Sequence, residues 1–293
     1  MSPLIIEARV NEYMMRSGGA PVPYSPDEIA ADAAACREAG AAVLHFHARQ
    51  PDGSPEHAYE AYRDTVRAIR ARCDILIHPT LGYVTLGAPA AERLSHITRM
   101  HDEGLAPDFA PMDMGSSNVD RLHADGTYET RDLVYTNTTD TLMYFGEHIR
   151  ARGMKPYLVA WNIGFIRQAE QFMRLGLIDG PAYLCFLVSE NYSIAGHPPT
   201  PRGVQAFVDF LPADLPIEWT VCNFGGNLLK LASGIVASGG HISIGLGDYL
   251  YPELGTPSNA DLVRRIVQIA RDCGREVATP AEARRVLAMR AAA

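Results

Sequence analysis

The chain has no Cys-x-x-Cys spacing among its five cysteines (Cys36, Cys73, Cys185, Cys222 and Cys273), and an odd number argues against a disulfide framework. A reducing cytoplasm is the expected setting. Basic residues are not in excess: 26 Lys and Arg stand against 34 Asp and Glu, a formal charge of −8, which argues against a general binder of nucleic acid or anionic membrane. No apolar run approaches a membrane span, and the opening Met-Ser-Pro-Leu-Ile-Ile-Glu lacks the basic-then-apolar order of a signal peptide. There is no Gly- or Ser-rich linker and no repeat of fixed period. What remains is ordinary globular composition, 47% hydrophobic and 20% charged over 293 residues, enough for one large α/β barrel or two smaller domains.

Short apolar runs rich in β-branched residues fall at 4–10, 41–47, 74–78, 107–112, 156–161, 182–188, 217–222 and 241–246. Amphipathic segments lie between them at 26–39, 57–72, 140–153, 165–176, 201–211, 228–239 and 259–273. Ser25-Pro26-Asp27-Glu28 reads as an N-cap with proline at N1, and Gly40 stands where that helix ends. Eight strand–helix alternations predict a single-domain (β/α)8 TIM barrel rather than a doubly wound sheet. A polar insertion at 118–139 reads as a small hairpin, and 279–289 as a closing helix.

The most informative stretch is Val43-Leu44-His45-Phe46-His47-Ala48-Arg49-Gln50. Side chains two apart on a strand share a face, so His45 and His47 present two imidazoles together, the usual start of a catalytic metal site. The alternative is a pair of satisfied core histidines; two at i, i+2 running into Arg49 and a Pro-Asp-Gly turn favour the metal. Barrel active sites gather at the carboxyl ends of the strands. Those ends supply Asn11 and Glu12, then His78 and Thr80, then Asp113, Ser116 and Ser117, and later Asn162, Ser189, Glu190, Asn191, Asn223 and Asp248. Glu12, on the strand next to the histidines, is the nearest carboxylate for a third ligand. Phe224-Gly225-Gly226-Asn227 and Gly115-Ser116-Ser117-Asn118 are weak phosphate cradles. His101, His123, His148, His197 and His241 are read as structural or solvated.

These stretches, with Val22-Pro23-Tyr24-Ser25-Pro26-Asp27-Glu28-Ile29 near the start, Asp52-Gly53, Gly239-Gly240-His241-Ile242, and Ala278-Thr279-Pro280 at the end, resemble the β-keto acid cleavage enzymes. The resemblance implies a zinc-dependent TIM barrel, with other divalent metals possible, that moves the acyl part of a β-keto acid onto coenzyme A. Acetyl-CoA would be co-substrate and acetoacetate a product, and the protein would be a homo-oligomer, a dimer or tetramer. In this chain the implied metal ligands are His45, His47 and Glu12; the implied catalytic residues are Asp248 as base or orienter of an activated water, Thr80 as oxyanion donor and Arg49 as anchor for anionic charge or for the site's carboxylates. Asn11, Asp113 and Ser116 are assigned to binding, with Asp113 either selecting a cationic keto acid or supporting the metal. The chain departs from the family pattern in five places: Gly247 replaces the glutamate ligand after the eighth strand, Ser243 the arginine on that strand, Thr80 the inward serine after the third strand, Glu12 the glycine of the first loop, and Pro111 a catalytic threonine. Ser243 leaves Asp248 without its usual partner. Alternatives are a zinc-dependent aldolase, hydrolase or isomerase that needs no coenzyme A, and a non-catalytic metal-binding protein.

Overall fold

The computed structural model describes residues 1–81, 87–190 and 193–290, so Asn191 lies outside the described residues. Ten strands and nine α-helices follow one another along these residues. The strands are β1 (Ile6–Arg9), β2 (Val43–Phe46), β3 (Leu76–Pro79), β4 (Phe109–Asp113), β5 (Ser117–Asn118), β6 (Val134–Tyr135), β7 (Lys155–Ala160), β8 (Ala182–Ser189), β9 (Ile217–Phe224) and β10 (His241–Ile244). The helices are α1 (Pro26–Ala39), α2 (Tyr59–Arg70), α3 (Ala90–Asp102), α4 (Thr139–Ala151), α5 (Ile163–Arg174), α6 (Pro201–Val208), α7 (Leu229–Ala237), α8 (Asn259–Asp272) and α9 (Pro280–Val286).

Eight parallel strands run in the order β3-β2-β1-β10-β9-β8-β7-β4. The remaining seam, between β3 and β4, is bridged by Asp108: its N–H donates to the Ile77 carbonyl at 3.0 Å and its carboxylate accepts from the Ile77 N–H at 2.7 Å. The result is the expected (β/α)8 barrel, with a strand at each of the eight predicted places. Strands in such a barrel are buried on both faces, which is why each reads as a short apolar run. One core lies between strands and helices, where Phe165, Ile166, Ala169 and Phe172 form the buried stripe of α5. A second fills the barrel with Val43, Leu76, Phe109, Tyr157 and Tyr183.

The caps follow the sequence. Ser25 and Glu28 close a capping box on α1, and Thr279 and Glu282 close another on α9. The insertion contains the antiparallel pair β5–β6, and a bridge from Arg121 to Ser193 ties it to the loop after β8. Helix α3 is absent from the sequence reading. Pro89 stands at its N-cap without a side-chain hydrogen bond, and its buried face includes Arg93 and His96, so neither the start signal nor a clean apolar stripe marks it.

Below the mouth the barrel holds a fully buried carboxylate. Glu7 accepts from the Tyr157 hydroxyl at 2.5 Å, pairs with His78 Nδ1 at 2.7 Å, and also accepts from the Ser243 hydroxyl. Burial alone would raise its pKa, but His78, Arg9 and His45 outweigh that and hold it at about 2. Because the folded value lies below the ordinary 4.5, the stabilisation is complete above pH 4.5 and is lost as pH falls towards 2. Glu7→Ala is expected to cost about 3–5 kcal/mol at neutral pH, since it strands a buried imidazole and two hydroxyls. Urea unfolding across pH checks this; the wild-type advantage should persist at pH 7 and shrink in acid.

Candidate active site

The carboxyl ends of β1 and β2 assemble the cluster. Parallel pairing sets Arg9 beside His45, and His45 beside His78. His45 and His47 point to the same side, with ring centroids 5.2 Å apart and planes at 86°. Glu12, just past β1, reaches both: Oε1 lies 2.9 Å from His45 Nε2 and Oε2 lies 2.7 Å from His47 Nε2. All three side chains are buried, and their ligand atoms lie within 4.8 Å of one another.

Tautomer chemistry shows what this arrangement fits. His45 Nδ1 lies 2.9 Å from the His78 carbonyl, which can only accept, so Nδ1 carries the proton. Burial, only partly opposed by Glu12, lowers the His45 pKa and keeps the ring neutral. Nε2 therefore presents a lone pair to the carboxylate oxygen 2.9 Å away, acceptor facing acceptor. A cation between them turns this repulsion into coordination, and a backbone carbonyl on the far ring nitrogen is the usual orienting partner of a metal-bound histidine. His47 is likewise held neutral, its pKa lowered to about 4 by burial against the pull of Glu12. A second group, Glu7, His45 and His78, also clusters within 4.8 Å. There Glu7 is already saturated by three donors and His45 Nδ1 is spent on a carbonyl, so the Glu12 group is the better cation site.

The loop carrying Glu12 is held in a conformation that its sequence disfavours. Glu12 has φ +38°, the left-handed region that favours glycine. Arg49 donates to the carbonyls of Asn11, Glu12, Met14 and Gly53, at 2.6–3.2 Å, and stacks over Tyr24. Asn11 donates to the Pro23 and His47 carbonyls and accepts from the His47 N–H. Both depart from expectation. Arg49 meets backbone carbonyls rather than anionic charge, and Asn11 is a brace between the first loop and β2, with its amide fully used. Ser116 departs too: exposed, it accepts from the Asn137 N–H at 2.8 Å and anchors a loop.

Asp248 has a partner that the sequence reading did not supply. Arg9, on the neighbouring strand, places Nε 2.9 Å from Asp248 Oδ2 and Nη2 2.5 Å from Glu12 Oε1. Arg9 thus lies between two carboxylates, Glu12 and Asp248. Burial raises the Asp248 pKa to about 7, with Arg9 opposing and Glu12 and Glu7 reinforcing the rise. A Cβ at Gly247 would lie 2.6 Å from Glu12 Cγ, 2.8 Å from the Glu12 backbone nitrogen and 3.0 Å from the Arg9 carbonyl oxygen, so the first loop packs directly against this glycine.

A cavity of about 710 Å³ opens above the cluster, lined by Arg9, Glu12, His45 and His47 on one side and by Thr80, Asp113 and Trp161 further round. Asp248 lies behind Arg9. Asp113 does not touch the histidines; its carboxylate accepts from Trp161 Nε1 and the Tyr135 hydroxyl. The reading from sequence missed Arg9, Glu7, Trp161 and Tyr135. The signal for the first two was present, since Glu7 and Arg9 are charges two apart on a strand buried on both faces and must share the barrel interior.

These features define a TIM barrel with three residues, His45, His47 and Glu12, that could hold a cation at the carboxyl ends of its strands. The chain belongs to the β-keto acid cleavage enzyme family, whose model matches residues 3–289. It is 30% identical to a 3-keto-5-aminohexanoate cleavage enzyme of Fusobacterium nucleatum, across 99% of both chains. It is also 30% identical to a 3-oxoadipate:acetyl-CoA acetyltransferase of Cupriavidus necator, across 98% of this chain and 95% of that one. Among solved structures the apo form of ObcA superposes with a TM-score of 0.73 at 17% identity, covering 92% of this chain and 66% of that longer one; this likeness concerns the fold.

Arg49→Met removes four carbonyl bonds from the loop that holds Glu12 in its left-handed conformation. It is expected to cost about 2–4 kcal/mol in denaturant unfolding, more than an exposed arginine would. Arg49→Lys should recover less than half of that loss, because an ammonium cannot span the same four acceptors.

Proposed function

We propose that this protein cleaves a β-keto acid by transferring its acyl part to coenzyme A, with acetyl-CoA as co-substrate and acetoacetate released. The bond between C2 and C3 of the keto acid breaks, the acyl group goes to the coenzyme A sulfur, and the two-carbon carboxylate fragment joins the acetyl group. The observation that carries the reading is the facing pair of acceptors, Glu12 Oε1 and His45 Nε2, 2.9 Å apart beside His47. Zinc held by His45, His47 and Glu12 would supply Lewis acidity to the keto acid's carbonyl and carboxylate oxygens.

The remaining roles fall to this chain's own residues. Arg9 presents fixed positive charge to the cavity, between two carboxylates that hold its guanidinium in place. Asp248, behind Arg9 and outside the cavity wall, takes the proton from C2 through an intervening water rather than by direct contact; a pKa of about 7 suits a base working near neutrality, and Oδ1 makes no hydrogen bond among the described residues. Thr80 lines the cavity from the β3 side and donates to the oxyanion that develops at C3. A cytoplasmic location is part of the proposal; the five cysteines are free in this structure, and no described helix is long and apolar enough to cross a membrane. Self-association as a dimer or tetramer is part of the proposal.

Elemental analysis of the purified protein should find one divalent metal per chain, lost in His45→Ala. Glu12→Gly should also lose it. Metal retained by His45→Ala would refute the assignment.

A panel of β-keto acids with the zinc-loaded protein should yield acetoacetate only when acetyl-CoA is present; product without it would mean hydrolysis or aldol cleavage instead. As the base, Asp248 must be ionised, so kcat/KM should fall as pH drops below about 7. Asp248→Asn should lower kcat by about 10³-fold or more and abolish that acid limb. A raised KM with the limb intact would mean that Asp248 serves only to hold Arg9.

A further inference from the structure

The turn that delivers Glu12 brings a second side chain to the cavity. The Met14 N–H closes it by donating to the Asn11 carbonyl at 2.9 Å, with Glu12 and Tyr13 at the two central positions. Arg49 bonds the carbonyls of Asn11, Glu12 and Met14, so both side chains are aimed from a fixed backbone. Tyr13 lies edge-on to His47, with ring centroids 4.6 Å apart and planes at 83°, and it lines the cavity above the cluster. Arg49, expected from the sequence to anchor an anion, thus fixes a phenol in place.

The phenol oxygen faces inward. As a residue Tyr13 is 38% exposed, yet burial is the first cause that raises the pKa of its hydroxyl, followed by the Glu12 carboxylate, with Arg49 opposing and Asp113 adding to the rise. Its outer parts therefore meet solvent while the oxygen lies among the charged groups of the cavity. The described residues give this hydroxyl no hydrogen-bond partner, and a desolvated hydroxyl gains from a bound oxygen that supplies one. Strand β2, which carries His45 and His47 at its end, lies between β1 and β3. Tyr13 comes from the β1 side and Thr80 from the β3 side, and both line the same cavity. A substrate oxygen seated over the two histidines therefore has a hydroxyl on either flank, the arrangement of a two-donor oxyanion hole.

We propose that the Tyr13 hydroxyl is a catalytic hydrogen-bond donor to the C3 oxygen of the β-keto acid, the counterpart of Thr80 across the site. The assignment rests on the β-keto acid reading for the reaction and supplies a donor on the β1 side. The C3 oxygen carries negative charge in the enolate left when the proton leaves C2, and again when the coenzyme A sulfur adds to C3. As the C2–C3 bond breaks, the pair on that oxygen re-forms the carbonyl and the electrons of the broken bond leave with the two-carbon carboxylate fragment. The phenol donates at each stage and keeps its own proton.

The test uses Tyr13→Phe, which keeps the ring against His47 and removes only the hydroxyl. Its metal content and melting profile should match those of wild type. Calorimetry on the metal-loaded protein compares acetoacetate with butanoate, a carboxylate of the same length without the C3 oxygen. Wild type should prefer acetoacetate, and the variant should lose about five-fold of that preference. With the keto acid that is turned over best, kcat should fall about 100-fold in the variant, beyond any change in KM. Restoring a hydroxyl with 3-fluorotyrosine at position 13 should recover kcat; no recovery counts against the donor. Equal binding of both probes by wild type, an unchanged preference in Tyr13→Phe, or an unchanged kcat overturns the assignment. Loss of the metal from Tyr13→Phe overturns it too, since the residue would then act only as a prop for His47. If no keto acid is turned over, the reaction proposed above fails while the binding preference still decides whether Tyr13 reaches the C3 oxygen.

Discussion

The site depends on one constraint: a carboxylate, Glu12, is held against a neutral imidazole whose only free nitrogen is an acceptor. The proton on His45 is fixed by the His78 carbonyl, which leaves Nε2 facing Glu12 Oε1 at 2.9 Å. Everything nearby maintains that pair. Arg49 and Asn11 hold the loop, Arg9 holds the carboxylate from the other side, and Gly247 leaves the room. A left-handed glutamate costs on the order of 1–3 kcal/mol, and such strain survives where surrounding contacts over-determine it.

Strands β1 and β10 meet at the site. Glu12, just past β1, lies beside Arg9 of the same strand, and that arginine also meets Asp248, just past β10. Ser243, on β10, donates to Glu7 one layer deeper. The mouth and the buried layer below it are coupled through β1, where Glu7 and Arg9 occupy successive interior positions. A change at either level alters the charge felt at the other, and His45 and Asp248 both respond to that shared field.

Much of this was legible in the sequence. Strands buried on both sides leave short apolar runs, and the eight runs marked the barrel; the i, i+2 histidines marked the cluster, and Glu12 followed from strand adjacency. Helix α3 was not legible because Pro89 gives no cap and its buried face includes a histidine and an arginine. Arg49 was misread for a different reason. Its acceptors are backbone carbonyls, which every residue has, so no side chain in the sequence shows that an arginine is spent on them. Asn11 and Ser116 were misread in the same way. Arg9 and Glu7 lie inside an apolar run and carry no motif that singles them out, although two charges on one face of a buried strand are a network in themselves. Trp161 and Tyr135 reach Asp113 only through the fold, from β7 and the insertion.

The most direct measurement of the central claim is a crystal structure of the purified protein, grown without chelator, with anomalous diffraction collected across the zinc edge. The account predicts one anomalous peak bound by His45 Nε2, His47 Nε2 and a Glu12 carboxylate oxygen, at about 2.0–2.2 Å from each. A map with no peak between those residues, or with a metal bound elsewhere while Glu12 still faces the two imidazoles, would contradict it.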